Sequence, residues 1–400
     1  MPDYKYLIIG GGMTADAAVA GIWEVDAEGS IGVVSEEADA PYRRPPLSKG
    51  LWKKMKLESI GYKTAEQAEL HTGRTIHTLD AGKKRVVAED GEEFGYDKLL
   101  LATGGRPRHL PFDAEGVNYF RTLADYRRLR EETERGQRFA VIGGGFIGSE
   151  IAAALAMNDK QVTMIFPEAG IGALAYPSDL SEHITTYFQD KGVEVLTETL
   201  VTGVEQRGAQ FLVRAQGEGQ HDERELEVDG VVAGLGLLPN TELAEQAGIE
   251  VENGIVVDEY LRTSYPDVFA AGDVAAFTSP ALGRRVRVEH EDNARVMGRA
   301  AGRNMAGAGE PYDHLPYFYT DFFDLGYQAV GELDARHETI SDWSEEPYKR
   351  GVVYYVEDER VRGVLLWGVR GQLDAARRLI AEPGPFQPQD LRGRLPEPRG

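Results

Sequence analysis

The sequence predicts an α/β protein with two Rossmann-like dinucleotide-binding domains, one inserted in the other, followed by an α+β carboxyl-terminal domain. Three observations carry this. Two triple-glycine loops, Gly10-Gly11-Gly12 and Gly143-Gly144-Gly145, each lie between an apolar strand and a helix-forming run. After the second module an apolar strand returns and ends in Ala271-Gly272-Asp273. From Pro311 the texture changes to aromatic-rich, alternating segments. The expected boundaries are 1–108 with 237–309 for the first domain, 109–236 for the inserted one and 310–400 for the last.

Residues 4–40 read as a complete βαβ unit. Tyr4–Ile9 is the strand, Gly10 and Gly12 form the loop, and Ala15 takes the third small position. In such a loop the first glycine turns the chain and the second lets backbone N–H groups approach a pyrophosphate. The third packs helix on strand. Glu36 lies about twenty residues on, where a ribose-binding acid belongs. Pro41 to Lys56 holds three prolines, so no long helix is expected before Ser48. Its cations either hold a pyrophosphate or line a solvated face. Residues 75–105 alternate like antiparallel strands, and Thr103-Gly104 closes the apolar run YDKLLLA.

In the inserted module the strand Phe139–Ile142 runs into Gly143, Gly145 and Gly148, and then into the helix SEIAAALAM. Glu150 is expected in the first turn of that helix. Past the apolar run VTMIF comes Glu168, about twenty-five residues after Gly143 and suited to both ribose hydroxyls of an adenosine. A 2′-phosphate would want Arg or Lys, and none lies between Gln161 and Asp190, so NADH is favoured over NADPH. An acidic hairpin-like stretch (FLVRAQGEGQHDERELEVDG) and the strand VVAGLGLLPN end the module. The segment RVEHEDNARVMGRAAGRNMAG has helical periodicity. In the last domain a hairpin turns at Asp358-Glu359, a helix (QLDAARRLIAE) follows, and an irregular tail starts at Pro383.

Composition narrows the function classes. With 44 Lys and Arg against 66 Asp and Glu, the formal charge is −22, which opposes non-specific binding to nucleic acid or anionic lipid. Cysteine is absent, which excludes disulfides, thiolate-held iron–sulfur clusters, Cys-ligated zinc and a redox dithiol. The eight histidines show no metal-ligand spacing, so no metal is expected. The chain begins directly on a strand and has no long apolar run, which reads as a soluble, cytoplasmic protein without membrane contact.

These modules, with A-T-G and A-G-D, resemble the two-dinucleotide-domain flavoprotein disulfide reductase superfamily. The resemblance implies three-layer ββα modules, with FAD on the first and NAD(P)H on the inserted one. Most members pass electrons through cysteine just after the first module, where this chain carries PYRRPPLSK. That segment is similar to the cysteine-free branch of oxygenase-type ferredoxin reductases and apoptosis-inducing factor. GGGFIGSE, FPE at 166–168, LGRRVRVEHEDNARVMGRAAGRNM and YFYTDFFDLGYQAVGE look most like the apoptosis-inducing-factor type, and the likeness spans nearly the whole chain.

By motif the resemblance puts FAD on Gly10, Gly12, Ala15, Glu36, Arg44, Lys49, Thr103, Gly104, Arg121, Gly272 and Asp273, with Glu289, His290 and Tyr319 on the flavin side. NADH falls to Gly143, Gly145, Phe146, Ile147, Gly148, Glu150, Glu168 and Gly236, with Glu289 and His290 of the VEH motif also reaching it. The sequence departs from the family in three places: Tyr319 replaces a tryptophan that stacks on nicotinamide, Gln328 replaces a glutamate, and the last domain is shorter. These put in doubt the long-lived charge-transfer complex and redox-linked dimerisation of apoptosis-inducing factor.

Hydride transfer needs two stacked rings and tuned electrostatics rather than a nucleophile. Phe146 is suited to fill the nicotinamide pocket when empty; an ordinary core aromatic is the competing reading. Glu150 can accept the carboxamide N–H and pair with Lys49 near flavin N5, or be a surface glutamate. His290 precedes a helix whose N-terminus would favour a reduced, anionic flavin; a structural histidine is the alternative. Lys53, Lys54 and Lys56 form a solvated face or dock an acidic electron carrier. The expected activity is FAD-dependent NADH:acceptor oxidoreduction, with Lys49, Phe146, Glu150 and His290 as catalytic candidates. Ferredoxin or rubredoxin is the expected acceptor, and quinone, dye or oxygen the alternatives. An NADH-responsive sensor protein is the rival class. Monomer and homodimer are both open.

Overall fold

The computed structural model describes residues 2–217, 219, 223–344 and 346–395. Two compact units emerge: Met1–Arg44, Lys56–Arg106 and Leu238–Phe318 form the first, and Pro45–Met55, Pro107–Leu237 and Tyr319–Gly400 the second.

The first unit is built on a sheet with parallel strands Glu69–Thr72, Ile31–Ser35, Asp3–Ile9 and Glu93–Leu101, in that order. Leu7, Ile8, Leu99 and Leu100 are fully buried, as central parallel strands covered on both faces must be. Each such side chain contributes about 1.5–3 kcal/mol of burial. Ile76–Asp80, Arg85–Ala88 and Glu93–Leu101 form the antiparallel meander expected from the alternation. The interruption is visible in the register: Val268–Ala270, beyond the inserted module, pairs parallel with Glu93–Leu101, Val268 opposite Leu99 and Ala270 opposite Leu101. Helix Met13–Val25 lies so close to helix Glu291–Met305 that a Cβ on Gly302 would sit 2.1 Å from the Ala18 carbonyl oxygen.

The second unit repeats the plan. Glu194–Leu196, Gln161–Ile165, Arg138–Ile142, Gly230–Ala233 and the short Asn118–Tyr119 make a parallel sheet. Thr199–Arg207, Gln210–Gly217 and Arg224–Val228 form the antiparallel meander of a ββα module. Of the expected acidic hairpin, 218 and 220–222 lie outside the described residues. The carboxyl-terminal part is a five-stranded sheet from Tyr317 to Trp367 with helix Leu373–Ala381 packed on it. Its hairpin turns at Asp358 and Glu359, which adopt φ of 50° and 55°. The α/β class and the nesting of the modules agree with the sequence reading. The proline-rich segment makes only short turns, Pro45–Leu47 and Gly50–Trp52, with no longer helix after Ser48. The tail from Pro383 is not wholly irregular: Pro388–Leu391 is a helical turn closed by a Gln387/Asp390 capping box, and 396–400 lie outside the described residues. Among the described residues no helix is long and apolar enough to cross a membrane.

Candidate active site

The two glycine loops share one geometry. Gly10 and Gly143 adopt φ of 116° and 111°, and a Cβ there would lie 2.1 Å from the Ala102 carbonyl oxygen and 2.4 Å from that of Gly234. Only glycine allows this approach of two backbones. Gly11 tucks under Ser35 and Gly144 under the Phe166 ring, each at the end of the neighbouring strand. Gly12 and Gly145 are the N-caps of helices Met13–Val25 and Phe146–Ala156, and neither gives a side-chain cap. A Cβ on Gly145 would meet nothing within 4 Å, and one on Gly12 only Arg44 Nη2 at 3.9 Å. Each loop thus presents uncapped helix N–H groups to open space, which fits the pyrophosphate of a dinucleotide. Gly148 packs against Gly143, its added Cβ 2.0 Å from the carbonyl oxygen, and Ala15 is fully buried at the matching place.

In the first unit Glu36 is exposed just past strand Ile31–Ser35. Its neighbour Glu37 holds the cation: it accepts from the Tyr42 hydroxyl (2.5 Å) and pairs with the Arg44 guanidinium. Arg44 is thereby fixed over the Gly12 side of the loop. Thr103 and Gly104 meet the returning chain, Thr103 Oγ1 donating to the Asn240 carbonyl at 2.8 Å and Asn240 Nδ2 to that of Thr103 at 2.9 Å. Gly272 (φ 79°) abuts Thr14, 2.3 Å from Oγ1 for an added Cβ, which puts Asp273 beside the first turn of the loop helix. Arg287 donates to the Asp273 carbonyl at 3.0 Å and pairs with Glu289 at 2.7 Å. His290 is the N-cap of helix Glu291–Met305, its ring stacked on Phe318 at 4.2 Å. Burial pushes its imidazole down to about 4, against the pull of Asp273 and Asp292, so it is neutral at pH 7.

In the second unit Glu150 is the centre. The helix starts at Phe146, so Glu150 is its fifth residue and not in the first turn as expected. The helix dipole acts weakly there, and side chains hold the charge instead. The carboxylate is 4% exposed and lies 2.6 Å from Lys49 Nζ. Ser48 Oγ donates to Oε2 at 2.5 Å, and Thr320 Oγ1 donates to Oε1. Lys49 Nζ also lies 5.4 Å from the Tyr319 ring centroid. The segment carrying Ser48 and Lys49 is anchored by Trp52, whose indole donates to Leu47 O (2.7 Å) and stacks edge-on against Tyr126. Asn158 Nδ2 donates to the Trp52 carbonyl at 3.1 Å. Phe146 is half-buried with its ring edge toward Tyr176, and Ile147 beside it is 41% exposed. Tyr176 and Tyr327 share a buried hydroxyl hydrogen bond of 2.7 Å; burial, with the Glu150 charge adding to it, pushes both phenols up.

Glu168 is half-buried, three residues beyond strand Gln161–Ile165. Gly236 (φ 89°) accepts from the Arg108 backbone N–H at 2.9 Å. Arg121 precedes the capped helix Leu123–Arg135, its own N–H donating to Asp125. Lys53, Lys54 and Lys56 are exposed. Among the described residues no group of three or more His, Cys, Asp or Glu is placed to hold a metal. Sequence reasoning missed Glu37, Ser48, Thr320 and Tyr176. Only Ser48, next to Lys49 in PPLSK, gave a local signal.

Residues 4–298 match the pyridine nucleotide-disulphide oxidoreductase family, and 341–382 match the carboxyl-terminal segment of mitochondrion-associated apoptosis-inducing factor. The mitochondrial apoptosis-inducing factor 1 of Dictyostelium discoideum is 35% identical over 94% of this chain and 78% of its own length. The ferredoxin–NAD(+) reductase component of the anthranilate 1,2-dioxygenase system of Burkholderia cepacia is 34% identical over 96% of each. The crystal structure of the covalent putidaredoxin reductase–putidaredoxin complex superimposes with a TM-score of 0.87 at 30% identity, covering 97% of this chain and 95% of that one. The chain belongs to the pyridine nucleotide-disulphide oxidoreductase family and is, as a member without cysteine, an FAD-dependent oxidoreductase of NAD(P)H.

Proposed function

We propose that the protein oxidises NADH and passes the electrons to a ferredoxin-like iron–sulfur protein. The observation that carries the reading is the buried pair of Lys49, from the proline-rich segment, with Glu150 on the helix that leaves the second glycine loop. There the Glu150 carboxylate can accept the carboxamide N–H of a nicotinamide whose pyrophosphate rests on Gly145. FAD, which Gly10 and Gly12 of the first loop and Arg44 would hold, would supply the redox chemistry, taking two electrons as hydride from NADH and giving them up to the acceptor. Lys49 keeps a fixed ammonium beside Glu150, and Phe146 and Tyr319 offer ring faces. Neutral His290 can donate one hydrogen bond without bringing a charge. Glu168 favours NADH over NADPH, since a 2′-phosphate would meet a carboxylate. With no cysteine in the chain, no thiol relay intervenes.

A ferredoxin-type acceptor is supported by the Burkholderia relative and by the putidaredoxin complex. The same reading puts the protein in the cytoplasm. Steady-state NADH oxidation with the native ferredoxin, rubredoxin, a quinone and air tests it. Turnover many-fold faster with ferredoxin than with air is expected; equally slow turnover with every acceptor refutes it. A second reading, an NADH-responsive binding protein, is favoured by the match over 341–382 and by the Dictyostelium relative. It requires an NADH-dependent change in solution mass.

A further inference from the structure

We infer that Thr320 is a positioning residue for nicotinamide recognition, fixing the Glu150 carboxylate from the carboxyl-terminal sheet. The inference rests on the reading of Glu150 given above. A carboxylate offers about four lone-pair positions. Three protein donors point at this one: Ser48 at Oε2, and Lys49 and Thr320 at Oε1. About one position is left for an incoming amide N–H. The three donors are not equivalent. Thr320 is 1% exposed and sits in strand Tyr317–Phe322. It is β-branched, so its side chain is stiff at χ1. Lys49 is 15% exposed on a flexible stem. Thr320 therefore sets the rotation of the carboxylate, and Lys49 follows. The adjacent Tyr319 puts its ring 5.4 Å from the Lys49 ammonium. Two consecutive residues of one strand hold both members of the pair.

The test compares Thr320→Val, which keeps shape and loses the hydroxyl, with Thr320→Ser, which keeps the hydroxyl. Dissociation constants are measured on the FAD-loaded protein for NAD+ and for ADP-ribose, which lacks only the nicotinamide. Thr320→Val should weaken NAD+ about 5–10-fold, because a less firmly oriented Glu150 carboxylate forfeits much of the worth of its one hydrogen bond to the carboxamide. ADP-ribose should stay within about twofold, and Thr320→Ser should restore NAD+ binding. Unchanged NAD+ affinity in Thr320→Val overturns the inference, as does an equal loss of both ligands, which marks a merely structural role. Glu150→Gln separates the levels. If it weakens NAD+ while Thr320→Val does not, Thr320 alone is misassigned; if it leaves NAD+ binding intact, the reading of Glu150 falls as well. Should Thr320→Val not fold, Thr320→Ala applies the same criteria.

Discussion

Removing Lys49 should expose how much the buried pair contributes. At 2.6 Å the gross attraction is about 6 kcal/mol for an effective dielectric near 20. Desolvation of both ions offsets much of it, and Ser48 and Thr320 still satisfy part of the carboxylate in Lys49→Met. Breaking one side of a buried pair costs about 3–5 kcal/mol. The remaining donors and the partial exposure of Lys49 reduce this to about 2–4 kcal/mol. Glu150→Gln leaves an ammonium without its counter-ion but closer to water, so its cost is smaller. Lys49→Met/Glu150→Gln removes both charges and should recover part of the loss. Denaturant midpoints of the four proteins, each with FAD bound, give the cycle. A coupling of about 2 kcal/mol is expected, and one below about 0.5 kcal/mol would refute the pair as a structural element.

Other consequences are smaller in scope. Gly145→Ala should fold normally, since its φ of −82° suits alanine and the methyl meets nothing, yet NAD+ should bind at least about tenfold more weakly because the methyl enters the phosphate cradle; wild-type affinity would contradict this. Gly148→Ala drives a methyl to 2.0 Å from a backbone oxygen and should destabilise by about 1–3 kcal/mol in thermal unfolding. Glu168→Ala should erode an NADH-over-NADPH preference of about tenfold, roughly 1.4 kcal/mol, mainly through NADH; equal kcat/KM for the two nucleotides in the wild type would remove the assignment. His290 should titrate near 4 by NMR rather than near 6.5. Its folded value lies below the unfolded one, so stability should fall as pH drops from 6.5 and the loss should be complete below about 4, on the order of 3 kcal/mol. His290→Gln should flatten that slope.

The parts read correctly from sequence are those whose physics is local. Gly10 and Gly143 need a left-handed φ and a backbone at van der Waals contact, so their spacing after a strand declares the loop. The nesting of modules was legible because the returning strand ends in Ala-Gly-Asp, and Gly272 must abut Thr14. The Lys49–Glu150 pair came from the family resemblance, since no local pattern links the two residues. What failed depended on distant segments converging. Nothing near Thr320 announces a carboxylate partner, and Ser48 looks like a turn residue. The Glu37 contacts with Tyr42 and Arg44 had no signal in the sequence, because the chain direction after Ser35 decides which side chain reaches them. The helix boundary at Phe146 moved Glu150 out of the first turn, and with it the explanation of how its charge is held.

In a protein without cysteine, NADH must reduce FAD by direct hydride transfer. Anaerobic stopped-flow mixing with NADH, and with NADH deuterated at the transferred position of C4, tests it. The flavin absorbance should bleach fully in one phase that slows with deuterium, and the colour should recover on adding oxidised ferredoxin. A flavin that stays oxidised under excess NADH, or bleaches with no isotope dependence in any phase and no recovery with ferredoxin, would contradict it.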